Sequence, residues 1–462
     1  MADMRRGSLA MGEMPMGWLV VKMAVPLMIS MMVQAMYNIV DGIFVSQIGM
    51  EAISAVGIAF PVQMVGISIS NGLGVGMNAL ISQRFGRGEG EKAAHAAGNQ
   101  LTLALIMSAA FLLFGIFGTR SYFEICTNDP LIVEYGTQYL SVVCICAVGH
   151  MLAVYGERLL QVTGRTMMSM LTQVVGAIVN IVLDPILIFG WFGAPEMGVR
   201  GAAVATVLGL FASAILGLAL HHHYDAHLRV RPKDLRLDRD VLEILRVGLP
   251  VALTTGLMSL MIFGVNFILK EYVMEVAVFT VYFRLQSFLF MPVQGMMQGL
   301  VPVVGYNYGA GKGKRLKKAI ALGTWICLGI MIAGMLVLQI VPGPVFGLFA
   351  QKSGPEMLEA GVHALRVISL SFPMAGLALV LSNIFQGMGN GVPSVLFGLL
   401  RQCVVLLPVL WVLLQTSGPS AIWLSFPIAE AVTAVIIIFV FRKEYRKRVT
   451  PLLEAEQETA TG

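Results

Sequence analysis

Acids and amides recur in this chain where their neighbours are apolar. In YNIVDGIFVSQIG, residues 37–49, Asp41 sits inside an apolar run that begins near Gly17. Gln34, Tyr37, Asn38 and Asp41 follow the i, i+3, i+4, i+7 spacing and share one helix face. A second acid, Asp184, stands in NIVLDPILIFG, residues 180–190, with Asn180 one turn away. A charge at the centre of a membrane helix costs on the order of 2.5–3.5 kcal/mol even on the lenient insertion scale, so these faces are expected to line a cavity or pack against protein. Two carboxylates sharing a weakly polar cavity cannot both ionise cheaply, and the pair is expected to hold a proton near neutral pH. The same oxygens suit a hard cation such as Na+, and Thr206, in GAAVAT, offers a candidate hydroxyl. The plainer alternative is that Asp41 and Asp184 tie helix ends together by hydrogen bonds.

The elements that must hold these groups follow from composition. Hydrophobic residues make up 57% of the 462 and charged residues 12%, against about 25% charged in an ordinary soluble domain. Apolar runs long enough to span a bilayer recur throughout, the pattern of an all-α polytopic membrane protein. The first run follows Arg5 and Arg6 but is too long for the core of a signal peptide, and no small-residue cleavage site precedes Asp41, so a retained helix is expected. Breaks between runs predict twelve helices at 17–46, 52–83, 93–119, 131–156, 166–190, 199–222, 241–269, 276–305, 316–341, 357–385, 393–415 and 420–441. At 1.5 Å per residue Asp41 lies about 36 Å along the first helix and Asp184 about 27 Å along the fifth. These depths match once the longer first helix tilts or bends, and Pro26 is the residue that can hinge it.

Basic residues orient the chain. The N-terminus and alternate connections carry 23 of them, the opposite set only Arg120, Arg200, Lys270 and Lys352, while Lys22, Arg284, Arg366 and Arg401 fall inside helices. The larger set includes Arg5, Arg6, Arg84, Arg87, Lys92, Arg158 and Arg165, the stretch Arg229 to Arg246, Lys312 to Lys318, and the tail Arg442 to Arg448. By the positive-inside rule both termini are expected in the cytoplasm of a prokaryotic cell, with the chain in its plasma membrane.

The chain also repeats. An offset of 223 carries Phe60, Gln63, Gly72, Gly76, Gly86, Gly88 and Gly90 onto Phe283, Gln286, Gly295, Gly299, Gly309, Gly311 and Gly313, and FGRGEGEK (85–92) onto YGAGKGKR (308–315). Two residues further, Gly136 meets Gly361 and QVTG (161–164) meets QGMG (386–389), while Pro26 and Pro250 head the first helix of each half. Two pseudo-symmetric six-helix halves in parallel orientation are a common transporter plan. The expected organisation is a cytoplasmic N-terminus (1–16), an N-terminal half (17–222), a polar linker (223–240), a C-terminal half (241–441) and a cytoplasmic tail (442–462).

Taken in order, the YNIVD segment, NIVLDPILIFG, the Q-x-x-G turns and the glycine-rich second connections resemble the multidrug and toxic compound extrusion (MATE) family over residues 15 to 445, closest to its DinF-like and MepA-like branch. The resemblance implies that Asp41, Asn180, Asp184 and a sixth-helix threonine, taken as Thr206, form the cation-coupling site of the N-terminal half. It further implies that the first helix bends near Pro26 when H+ or Na+ binds, narrowing the pocket and displacing the bound compound outward. Family branches that couple through acids on the seventh and tenth helices differ from this chain, which has only neutral candidates there, such as Asn266 and Asn383.

The C-terminal half carries Arg284, Arg366 and Arg401 within helices, with Glu430 its one membrane acid. The similar depths of Arg284, Arg366 and Glu430 suggest a buried ion pair locking this half, or else a charge that repels cations or binds an anionic group. His221, His222, His223 and His227 read as a solvated cluster with no acidic partner rather than a metal site. NGLGVG (71–76) lacks the preceding strand of a dinucleotide motif, and Gly72-x-x-x-Gly76 and Gly295-x-x-x-Gly299 read as close helix packing. Cys144 and Cys146 read as small apolar residues within one helix, and the net charge of +5 reports orientation rather than nucleic-acid binding. Of thirty methionines, Met64 and Met258 are candidates for a soft drug-binding wall beside Gln34, Tyr37 and Asn38.

The expected activity is multidrug efflux antiport: export of cationic, amphipathic compounds in exchange for H+ or Na+, with no cofactor beyond that ion and the monomer as the working unit. A flippase or exporter of lipid-linked or anionic substrates is the first alternative. A membrane enzyme or receptor finds no nucleophile–base pair, metal motif or sizeable soluble domain in its support.

Overall fold

The computed structural model describes residues 11–225, 228, 230–231, 234–349 and 354–461. Arg5, Arg6, His227, Arg229 and Lys352 lie outside the described residues, which are helical with no strand among them. In order the spans are Met16–Ser46, Met50–Gly86, Gly90–Phe117, the bent pair Pro130–Ile145 and Ala147–Val162, Thr166–Phe189 and Gly198–Tyr224. The second half follows with Arg239–Ile268, Val273–Gly309, Gly313–Ile340, the bent pair Pro355–Ser369 and Phe372–Gly387, Val392–Ser417, and a last span at Ser425–Arg448, after which comes the helix Thr450–Thr461. Among the described residues ten helices are long and apolar enough to cross a membrane, and counting each bent pair as one span makes twelve. The protein is an all-α polytopic membrane protein of two six-helix halves.

The fourth and tenth spans are expected as single helices and instead break by 46° and 47°. Cys146 sits at the first break, so the C-x-C pair straddles a bend rather than lying within one helix. Both bent spans are preceded by a short helix, Thr119–Cys126 and Pro342–Phe349. Each short helix presents a phenylalanine to a glycine of the bent span, Phe123 to Gly136 and Phe346 to Gly361, and no Cβ fits at either glycine. The repeat is therefore physical, down to which ring fills which notch.

Glycine contacts also show how the halves meet. A Cβ on Gly72 or Gly76 of the second span would strike the backbone of the seventh at Gly248 or Ile244. At the equivalent Gly295 and Gly299, the eighth span meets the first at Leu27–Met28 and Met23–Ala24. Gly86 abuts Tyr306 and Ala310, and Gly309 abuts Gln83, so the second and eighth spans cross about the same pseudo-axis. Small residues at these crossings let backbones approach to van der Waals contact, the main attraction available between helices in lipid.

The turns repeat as well. Gly88, Gly164, Gly311 and Gly389 all adopt positive φ, between 67° and 81°. At each, backbone N–H groups return to the last helical carbonyls, as Gly164 N does to Gln161 O (3.0 Å) and Gly389 N to Gln386 O (2.9 Å). Gln161 and Gln386 then donate to Ser169 (3.1 Å) and Ser394 (3.2 Å), clamping the next span in both halves.

Two expectations about charge and solvation need correction. The charge pattern places Arg158 in a connection, but the helix runs to Val162 and buries Arg158 to 3% exposure. His221 is buried rather than solvated: its Nε2 meets Leu228 O at 3.2 Å and its Nδ1 lies 3.5 Å from Asp225. That acidic partner arrives one turn later, where the chain leaves the helix and Asp225 also receives Thr163 and Arg165.

Candidate functional site

The site grows from the packing of the fifth and sixth spans. Gly176 and Gly209 face each other so closely that a Cβ on either would meet the other's carbonyl oxygen, at 2.9 and 2.6 Å. That approach brings Thr206 against Asn180. Asn180 Nδ2 donates to Asp184 Oδ1 at 3.3 Å and is 3.4 Å from Thr206 Oγ1, while the Thr206 hydroxyl donates to Ala202 O at 3.0 Å. Asn180 and Asp184 are buried, and Gly190, with φ 73°, ends the helix above them.

The first span supplies the second carboxylate. It is one continuous helix, so Gln34, Tyr37, Asn38 and Asp41 do share a face, and it packs along the fifth span. Asp41 lies within Coulombic range of Asp184, and both act on the phenol of buried Tyr139 from the fourth span, which also reaches Gln63. Three buried oxygens here have no donor: Asp41 Oδ1, Asp184 Oδ2 and Asn180 Oδ1. Among the described residues none of these three oxygens has a hydrogen-bond partner, and in such a medium each unmet acceptor is costly. A proton on either carboxylate would turn one acceptor into a donor. With the Thr206 oxygen these are the groups that could hold a Na+.

Pro26 lies where the eighth span crosses the first. It lacks the N–H that would bond the carbonyl of Lys22 four residues earlier. Thr166, buried at the start of the fifth span, donates its hydroxyl to that carbonyl at 3.0 Å. In the other half Pro250 frees the carbonyl of Arg246, and Gly391 stands at the position equivalent to Thr166 with no side chain to offer.

Of the expected cavity residues, Gln34 and Asn38 are exposed, and Tyr37, Met64 and Met258 are half-buried. The C-terminal half departs from expectation. Glu430 pairs with Arg401, Nη1 to Oε1 at 3.4 Å, and no carboxylate among the described residues pairs with Arg284 or Arg366, which are exposed. The six-residue π-turn Leu400–Val405 that carries Arg401 shifts the helix register there, which depth along an ideal helix could not anticipate.

Sequence reasoning missed Tyr139, Gln63, Glu157 and Arg158. The guanidinium of Arg158 is spent on three amide oxygens: Gln161 (2.9 Å), Gln298 of the eighth span (3.0 Å) and Asn71 of the second (3.2 Å). Glu157 Oε2 accepts from Gln173 Nε2 at 2.8 Å. Gly164 was the available signal, since a helix stopped by that glycine must already contain residues 157 and 158.

Comparison with known proteins agrees with this arrangement. The MatE family model matches residues 26–186 and again 250–412, one copy in each half. The chain belongs to the MATE family. It is 25% identical over 437 residues to the multidrug export protein MepA of Staphylococcus saprophyticus, covering 93% of this chain and 95% of that protein. It is 24% identical over 436 residues to a FAD transporter of Shewanella oneidensis, with the same shares covered. A solved MATE structure in a bent conformation superposes with a TM-score of 0.88 at 28% identity, over 97% of this chain and 99% of that one. As a MATE family member the protein is a transporter, and its multidrug-exporting relatives support efflux of small molecules.

Proposed function

We propose that this MATE protein is a secondary antiporter that exports cationic, amphipathic organic compounds in exchange for inward H+ or Na+, coupled through Asp41 and Asp184. The observation that carries this reading is the group of three donorless buried oxygens at Asp41, Asn180 and Asp184. A compound from the cytoplasm occupies the space beside Gln34, Tyr37 and Asn38. A cation entering from outside satisfies the orphaned oxygens and draws the first span toward the fifth. Pro26 takes up the bend, because the helix there lacks one internal hydrogen bond, and the narrowed pocket releases the compound outward. Relatives of known structure in straight and bent conformations support a helical bundle with two such states. The protein acts in this reading as a monomer in a prokaryotic cytoplasmic membrane, with both termini inside.

The test is ethidium movement in proteoliposomes under a proton gradient or a sodium gradient imposed separately. Wild type is expected to respond to one of them, and Asp41→Asn to neither while remaining folded. Drug-stimulated ion flux preserved in Asp41→Asn would falsify the coupling role.

Exposed, unpaired Arg284 and Arg366, together with the resemblance to a FAD transporter, favour a second reading in which the cargo is anionic. Export of a flavin dinucleotide that survives Asp41→Asn but is lost in Arg284→Gln supports that reading over the first.

A further inference from the structure

Glu157 is a membrane-embedded acid to which neither the coupling site nor the packing of the halves gives a use. It lies five residues before the end of the fourth span, about 7.5 Å along the axis. Its partner Gln173 lies eleven residues before Asp184 on the fifth span, so Glu157 stands about 16 Å nearer the basic face than the coupling carboxylates. A unit charge at such a depth is normally paired or functional. Among the described residues no cationic nitrogen lies within 4.0 Å of it. Arg158, next in sequence, is within Coulombic range. Its guanidinium, however, is held by Gln161, Gln298 and Asn71.

The carboxylate is fixed by one oxygen and open by the other. Gln173 holds Oε2, whereas Oε1 has no hydrogen-bond partner and is not among the occluded orphan oxygens. Glu157 is half-buried and within Coulombic range of the Tyr37 phenol, on the face of the first span that also exposes Gln34 and Asn38. A carboxylate positioned by Gln173 and open at Oε1, with the amides of the first span exposed above it, suits an organic cation too large to be hydrated within the bundle. The carboxylate supplies the counter-charge.

We infer that Glu157, held by Gln173, is the counter-ion for the positive centre of a quaternary ammonium or phosphonium cargo, at a station distinct from the Asp41–Asp184 pair. The inference rests on the cation-export reading and adds to it. It separates substrate charge recognition from ion coupling, so that cargo and coupling ion need not compete for one carboxylate.

Tetraphenylphosphonium binding to the purified full-length protein tests this by equilibrium titration, without any gradient. Wild type is expected to bind, Glu157→Asp to retain binding, and Glu157→Gln to lose affinity by at least about tenfold. Glutamine keeps an acceptor for Gln173, and an unchanged melting temperature excludes misfolding as the cause. Gly57→Ala, which meets nothing in the structure, is expected to bind tetraphenylphosphonium as wild type does. Undiminished binding by Glu157→Gln, with the wild type binding normally, overturns this inference and leaves the export reading standing. Glu157→Gln that binds normally but no longer responds to the ion gradient also overturns it, and makes Glu157 part of the coupling path. A wild type that neither binds tetraphenylphosphonium nor moves ethidium overturns both readings together.

Discussion

The bond from Thr166 to the Lys22 carbonyl makes a prediction that separates a structural proline from a tuned hinge. Replacing Thr166 by Val keeps the shape of a fully packed side chain and deletes the one donor that serves the carbonyl freed by Pro26. A buried carbonyl without a partner costs about 1–3 kcal/mol, while side-chain hydrogen bonds in membrane proteins average about 0.6 and reach about 1.7 kcal/mol. A loss of about 1 kcal/mol is therefore expected for Thr166→Val. With Pro26→Ala in the background, the restored N–H of residue 26 bonds Lys22 within the helix, and the same substitution is expected to cost close to nothing. Equilibrium unfolding of the four proteins in mixed micelles measures the coupling directly, expected at about 1 kcal/mol and favouring the double mutant. Equal costs of Thr166→Val in both backgrounds would refute the argument, because the hydroxyl would then be doing nothing for that carbonyl.

Two further outcomes follow from packing and charge. Gly76→Leu forces a side chain into the backbone of the seventh span at Ile244 and Gly248, which cannot yield as a side chain can, so a loss at the upper end of the overpacking range of about 1–3 kcal/mol is expected, read as a collapse of monodisperse yield. Gly57→Ala, with open space around it, is the control and is expected to purify as wild type does. Glu430→Gln leaves Arg401 without its counter-charge and is expected to cost about 2 kcal/mol, less than the roughly 3–5 of a fully buried pair because both side chains keep some exposure. Arg284→Gln, which breaks no ion pair, is expected to leave the unfolding midpoint unchanged.

Much of this protein was legible in its residues, because the membrane imposes simple rules. The length of each apolar run set the spans, since backbone groups in lipid must be satisfied within a helix. The glycines at offsets of 223 and 225 exposed the duplication, because close crossings and positive-φ turns tolerate almost nothing else. The i, i+3, i+4, i+7 face ending at Asp41, and the pairing of Asn180 with Asp184, needed only helical periodicity. What the residues could not disclose were relations between helices. The partner of Glu430 is Arg401, carried on a π-turn, whereas equal depth along ideal helices pointed to Arg284 and Arg366. His221 and Asp225 meet only because the chain turns off its helix there. Arg158 and Glu157, adjacent in sequence, point to different spans, one clasping Gln298 of the eighth and Asn71 of the second, the other resting on Gln173 of the fifth. Periodicity and composition are properties of one helix at a time and survive in the linear chain. Which oxygens are left without a donor is a property of the assembled bundle, and only the tertiary structure decided it.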